Sequence, residues 1–240
     1  MAQITASLVK ELRERTGLGM RECKKALTET DGDLTKAEDL MRIKSGSKAS
    51  KVSGRVAAEG AIVVSMSADS KQGAIVEVNC ETDFVGKDPS FLSFANNIAD
   101  VVSSSGETDV SAISAQTLPS GETVEEVRQA LIMKLGENIS VRRTKKFEAK
   151  GLLASYLHGG RIGVVVDVID GTAELGKDLA MHIAAVKPVA VSAAEVDEAL
   201  LDREREIAKA RAVESGKPEN IVEKIVDGSV RKYLSEVTLY

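Results

Sequence analysis

A pattern that occurs twice constrains the fold of this chain more than any other feature. "EGAIVVSMSADSKQGAIVEVN", from Glu59, holds two β-rich runs around a polar turn and is followed by the helix-like "SFLSFANNIADVV". "KGLLASYLHGGRIGVVVDVID", from Lys150, again holds two β-rich runs, now around a Gly-rich turn, and is followed by "ELGKDLAMHIAAV". Turns this short cannot carry a parallel crossover, so each pair of runs is expected to be antiparallel. The fold class is therefore α+β, with a core of two related antiparallel α+β subdomains. The first lobe continues into a helix near Val124 to Leu135 and a third strand, "NISVRRTKKFE", where Ile139 and Val141 alternate with polar residues. By the repeat the second lobe should gain a third strand too. The sequence reaches Tyr240 before one appears, so that lobe is expected to be incomplete, with an exposed sheet edge.

Helical spacing frames these lobes. Residues 1–45 read as three short helices: Thr5 or Ser7 caps the first, with Leu8, Val9 and Leu12 on one face, and "TGLG" ends it. Met20, Cys23 and Leu27 mark the second helix, and Leu34, Ala37, Leu40 and Met41 the third. "KSGSKASKVSGR", Lys44 to Arg55, has almost nothing to bury and reads as a flexible basic linker. Towards the end, Gly216 and Pro218 separate two further helices, whose dense charges suggest a hairpin projecting into solvent. The expected division is a helical domain with its linker at 1–55, core subdomains at 56–150 and at 151–192 with 235–240, and the hairpin at 193–234.

Composition narrows the function. The net charge of −5 argues against nucleic acid as the ligand of the whole chain, and with 3% aromatics and no Trp there are few stacking platforms. Within residues 1–55, 12 Lys and Arg stand against 8 Asp and Glu, a local basic excess that is either solvated surface or a docking patch. Cys23 and Cys80 have no metal-like spacing and are expected to be reduced thiols in a cytoplasmic protein. No apolar run approaches the length of a membrane span. The "GKD" triplets at Gly86 and Gly176 lack the rest of a phosphate-binding loop, and "GLGMRE" lacks the third glycine of a dinucleotide fingerprint. His158 and His182 stand outside any zinc or triad motif, so no cofactor, no metal and no catalytic site is expected. His182 reads as a structural residue near a core face. His158, against two glycines at a strand end, is open between outward display and ordinary turn packing.

One stretch resists a structural explanation. In "VNCETDFVGKD" the first aromatic of the chain, Phe84, stands beside Asp83 in a polar segment. Pattern alone favours Phe84 folding back beneath the helix that starts near Ser90. The alternative is an Asp-Phe pair presented to a partner.

The segments "ITASLVKELRERTGLGMRECKKALTETDGD", "AAEGAIVVSM", "VEVNCETDFVGKD", "KLGENISVRR", "SYLHGGRIGVVVDV", "MHIAAVKP" and "SGKPENIVEKIVDG" together resemble bacterial elongation factor Ts, in the same order along the chain. That resemblance implies a ubiquitin-associated-like N-terminal domain of three helices and a coiled-coil hairpin. It also implies a guanine-nucleotide exchange factor rather than an enzyme, with elongation factor Tu, GDP-bound and nucleotide-free, as its partner. In that family the segment matching Thr82, Asp83, Phe84 and Val85 approaches the partner's magnesium site, so these residues are expected to dislodge Mg²⁺. Further contacts carried over from the resemblance fall on Arg13, Met20, Leu135, Gly136 and His158, which settles His158 towards display. The family continues beyond the point matching Tyr240 with a strand and a helical module, so weaker partner affinity is expected. A homodimer through the core or the hairpin is left open, and an RNA-binding or adaptor role for the basic helical domain is the rival reading.

Overall fold

The computed structural model describes residues 4–240 and divides into two compact units, one up to Lys177 and one of Asp178–Tyr240. The first unit runs α1 (Ala6–Thr16), α2 (Met20–Glu29), α3 (Leu34–Val52), β1 (Glu59–Met66), β2 (Gln72–Cys80), α4 (Asp83–Gly86), α5 (Pro89–Ser105), α6 (Val110–Ser114), α7 (Val124–Leu135), β3 (Ser140–Glu148), β4 (Leu152–His158) and β5 (Ile162–Val168). Helix α8 (Ala173–Val186) leads into the second unit, which holds α9 (Glu198–Glu214) and α10 (Glu219–Val237). The chain is a mixture of helices and antiparallel sheet, an α+β fold. Among the described residues no helix is long and apolar enough to cross a membrane.

The first three helices close on a small core of Val9, Leu12, Leu18, Cys23, Ala26, Leu27, Ala37 and Met41. Thr5 accepts the N–H of Leu8 at 3.3 Å, Asp33 accepts that of Lys36 at 3.0 Å, and Gly17 ends α1 in the left-handed region. Two expectations are corrected here. Met20 does not face this core but is 62% exposed, because the inward stripe of α2 is Cys23, Ala26 and Leu27. The stretch from Lys44 is not a flexible linker, since α3 continues as helix to Val52. Ser45, Ala49 and Val52 lie at i, i+4 and i+7 and are buried, so a face of small side chains replaces the bulky stripe that signals a helix. That face lets α3 lie close on α7, where Lys48 donates to the Met133 carbonyl at 3.1 Å.

The main core forms where α5 crosses a three-stranded antiparallel sheet of order β1-β2-β3. Alternation sends Ala61 and Val63 of β1, and Ala74, Val76, Val78 and Cys80 of β2, to one face. There they meet Phe91, Phe94, Ala95, Ile98 and Val102, which recur at helical spacing along α5. Each large side chain buried this way contributes about 1.5–3 kcal/mol. Asp88 caps α5 by accepting the N–H groups of Ser90 and Phe91, with Pro89 at the first helical position. Opposite Glu77 and Val78 the pairing of β3 slips by one residue, and the bulge lets both Arg142 and Arg143 reach the Glu77 carboxylate, at 3.0 and 2.6 Å.

β4 and β5 form a separate two-stranded antiparallel sheet, joined through Gly159 and Gly160, both left-handed. In the second unit α9 and α10 pack on each other through Ala208, Ala212 and Val222, and Ala190 pairs in parallel with Thr238. His182 is exposed, not near a core face. The buried positions of α8 are the small Gly176, Ala180 and Ala184, each one turn apart, and His182 points away from them.

Gly60 marks where side chains are excluded. Its φ is +146°, and a Cβ there would lie 2.1 Å from the Val78 carbonyl oxygen. Gly60→Ala is expected to destabilise the first unit by about 2 kcal/mol or more, seen as a lower urea midpoint with unchanged slope.

Candidate functional site

The Thr82–Val85 segment lies at the end of β2, where the chain leaves the sheet and makes the single helical turn α4 before α5. Thr82 is extended and caps the turn, its hydroxyl accepting from the Val85 N–H at 3.5 Å. Val85 and Gly86 point inward and are buried. A Cβ on Gly86 would sit 3.2 Å from the Gly60 carbonyl and 3.6 Å from the Cys80 sulfur, so the two glycines let α4 dock against β1. With the inward side of so short a helix committed, Phe84 is left on the outside and is 83% exposed. The reading in which Phe84 folds back beneath α5 is therefore corrected: Val85 takes the inward position, and α5 supplies its own aromatics, Phe91 and Phe94.

Asp83 stands beside Phe84 and accepts from Lys87 at 2.7 Å, one turn on. The hydrogen bond from Lys87, helped by its charge and by that of Arg161, holds the Asp83 carboxyl below the usual carboxylate range. An ionised carboxylate thus accompanies an exposed ring at neutral pH.

Arg161 reaches this neighbourhood because the β4–β5 turn docks on β1. The Ile62 N–H donates to the Gly160 carbonyl at 2.7 Å, and Arg161 pairs with Glu59 at 2.6 Å. His158, at the start of that turn, is exposed with Nδ1 3.0 Å from the Tyr156 hydroxyl. From the other side, Gly136 ends α7 in the left-handed region, with Leu135 and Gly136 half-buried. The next residue, Glu137, accepts from the Thr82 hydroxyl at 2.6 Å. The structure thus groups Thr82 to Val85 with Leu135 and Gly136 through Glu137, and with the His158 turn through Glu59 and Arg161. Arg13 and Met20 are exposed on α1 and α2, and among the described residues no hydrogen bond or ion pair links them to α4. Glu81, Glu137 and Asn138 belong to this cluster and were missed from sequence. Side chains that bond loop backbone, Glu81 and Glu137 as acceptors and Asn138 as a donor, carry no periodicity.

Among the described residues no group of three His, Cys, Asp or Glu side chains could hold a metal ion. The site has no nucleophile paired with a base. What it offers is a surface of one exposed aromatic ring and one carboxylate on a braced turn.

Cys80 lies beneath this surface, its thiol donating to the Thr82 carbonyl at 3.1 Å. Burial, together with the nearby Glu137 carboxylate, pushes the thiol up to about 11. An unfolded thiol titrates near 8.5, so as pH rises the unfolded chain loses its proton first. The stabilising contribution is complete below about pH 8.5 and is lost as pH climbs towards 11. Urea unfolding at about pH 7.5 and about pH 10 should show a loss of up to about 2 kcal/mol that Cys80→Ala removes.

Comparison with known proteins identifies the family of the chain. The family model described as elongation factor TS matches residues 81–240, beginning at the turn itself. The elongation factor Ts of Nitrosomonas eutropha is 60% identical over 239 residues, which cover 100% of this chain and 81% of that relative. Those of Nitrosospira multiformis and Bordetella petrii are 57% and 58% identical, again over 100% of this chain, and over 80% and 81% of theirs. The chain belongs to the elongation factor Ts family.

Proposed function

We propose that this chain is a guanine-nucleotide exchange factor for elongation factor Tu in translation elongation, binding that GTPase in its GDP-bound and nucleotide-free forms and promoting GDP release. The observation that carries the reading is Phe84, 83% exposed on a turn whose other residues are anchored. An exposed aromatic of this size releases burial energy when a partner covers it. In this reading Phe84 enters an apolar gap in the partner, and its burial, about 1.5–3 kcal/mol, drives displacement of the groups that hold the partner's Mg²⁺. Asp83 adds a negative charge beside that cation's own ligands. Mg²⁺ bridges nucleotide phosphates to protein oxygens, so disturbing its ligands loosens GDP.

Membership of the family supports the partner, and the grouping of Leu135, Gly136 and His158 around the same surface supports their role as further contacts. Arg13 and Met20 then act as a separate grip from the ubiquitin-associated-like helical domain of residues 1–55. The subdomain divisions at 150 and 192, a coiled-coil character for α9 and α10, and a cytoplasmic location belong to the same proposal.

Stopped-flow release of a fluorescent GDP from elongation factor Tu tests it. Micromolar wild-type chain is expected to accelerate release, and Phe84→Ala to lower that acceleration by about tenfold or more, the loss matching the burial of one aromatic. No acceleration by the wild-type chain would refute the exchange role. Full acceleration by both Phe84→Ala and Asp83→Ala would refute the wedge.

A further inference from the structure

The turn that presents Asp83 and Phe84 is held on one side by the packing of Val85 and Gly86 and on the other by a single carboxylate. Glu137 accepts the N–H of Glu81 at 3.1 Å, the N–H of Thr82 at 2.9 Å and the hydroxyl of Thr82 at 2.6 Å. We infer that Glu137 is the positioning residue of the Thr82–Val85 turn, acting through Thr82 on the direction in which Phe84 projects; its consequence for nucleotide release rests on the exchange reading above.

The chemistry of the hydroxyl makes the argument directional. Thr82 has one hydroxyl proton, and donating it to Glu137 turns an oxygen lone pair towards the Val85 N–H, the bond that starts α4. Remove the carboxylate and two backbone N–H groups lose their acceptor, while the hydroxyl is free to rotate away from its cap. Hydrogen bonds from three donors to one carboxylate belong to the charge-assisted, stronger class.

The lock is reciprocal. The Glu81 carboxylate accepts the N–H of Asn138 at 2.6 Å and the Arg55 guanidinium at 3.4 Å. Asn138 in turn donates its side-chain amide to the carbonyls of Ser53 and Arg55, at 3.3 and 2.9 Å. Three segments distant in sequence, the end of α3, the start of α4 and the α7–β3 loop, are thereby tied together. Leu135 and Gly136 stand directly before Glu137, so they and Phe84 meet a partner as one braced surface that need not be ordered on contact.

Two measurements on the full chain test this. In the free protein, Glu137→Ala should speed hydrogen exchange of the Glu81 and Thr82 amides by at least about tenfold. Glu137→Gln, whose carbonyl can still accept from both amides, should restore most of the protection. In the GDP-release assay, Glu137→Ala should slow release about tenfold in the wild-type background but less than about twofold alongside Phe84→Ala, because its effect passes through that ring. Unchanged amide exchange, or an equal loss in both backgrounds, would overturn the positioning role. If the wild-type chain does not accelerate GDP release, the exchange reading falls, and amide exchange still decides the role of Glu137.

Discussion

The packing of α5 across β1 and β2 is the contact on which the rest of the first unit depends. Phe91, Phe94, Ile98 and Val102 fill the face made by Ala74, Val76 and Val78, and this burial fixes where β2 ends and α5 begins. Only Glu81 to Asp88 lie between them. A connection so short, with Asp88 already used as a cap and Cys80 already in the sheet, has no room to bury a bulky ring of its own. Exposure of Phe84 is in this sense a product of the core. The same contact brings Gly60 and Gly86 together, and with them the β4–β5 turn that carries His158 and Arg161.

Charge at this surface is arranged locally rather than by the sign of the whole chain. Asp83 is balanced by Lys87, Glu59 by Arg161 and Glu81 by Arg55. These pairs are exposed and each contributes little to stability. Their effect is on direction: they hold carboxylates at fixed places around the exposed Phe84 ring.

Much of this was legible in the sequence, for identifiable reasons. The strands were readable because Val63, Val76 and Val78 obey a period of two, and the start of the first helix because Thr5 precedes helical spacing. Two residues assigned to core faces by their helical position lie outside them. Met20 and His182 lie on helices whose buried faces are mostly small residues, Cys23 and Ala26 beside Leu27 on α2 and Gly176, Ala180 and Ala184 on α8, and both fall outside those faces. The helical continuation through Ser45 and Ala49 was hidden for the same reason, since small residues pack helices closely without leaving a hydrophobic signature. The bracing of the turn was invisible because Glu137 and Thr82 are far apart in sequence and meet only once α7 and β2 are in place.

The central claim is that this surface and bound GDP compete energetically for elongation factor Tu. Linkage requires that whatever factor by which the chain weakens GDP, GDP weakens the chain by the same factor. The most direct measurement is calorimetric titration of the chain into nucleotide-free elongation factor Tu and, separately, into the form saturated with Mg²⁺ and GDP. The account predicts binding to the nucleotide-free form at least about a hundredfold tighter, a coupling near 3 kcal/mol. Equal affinity for the two forms would contradict it.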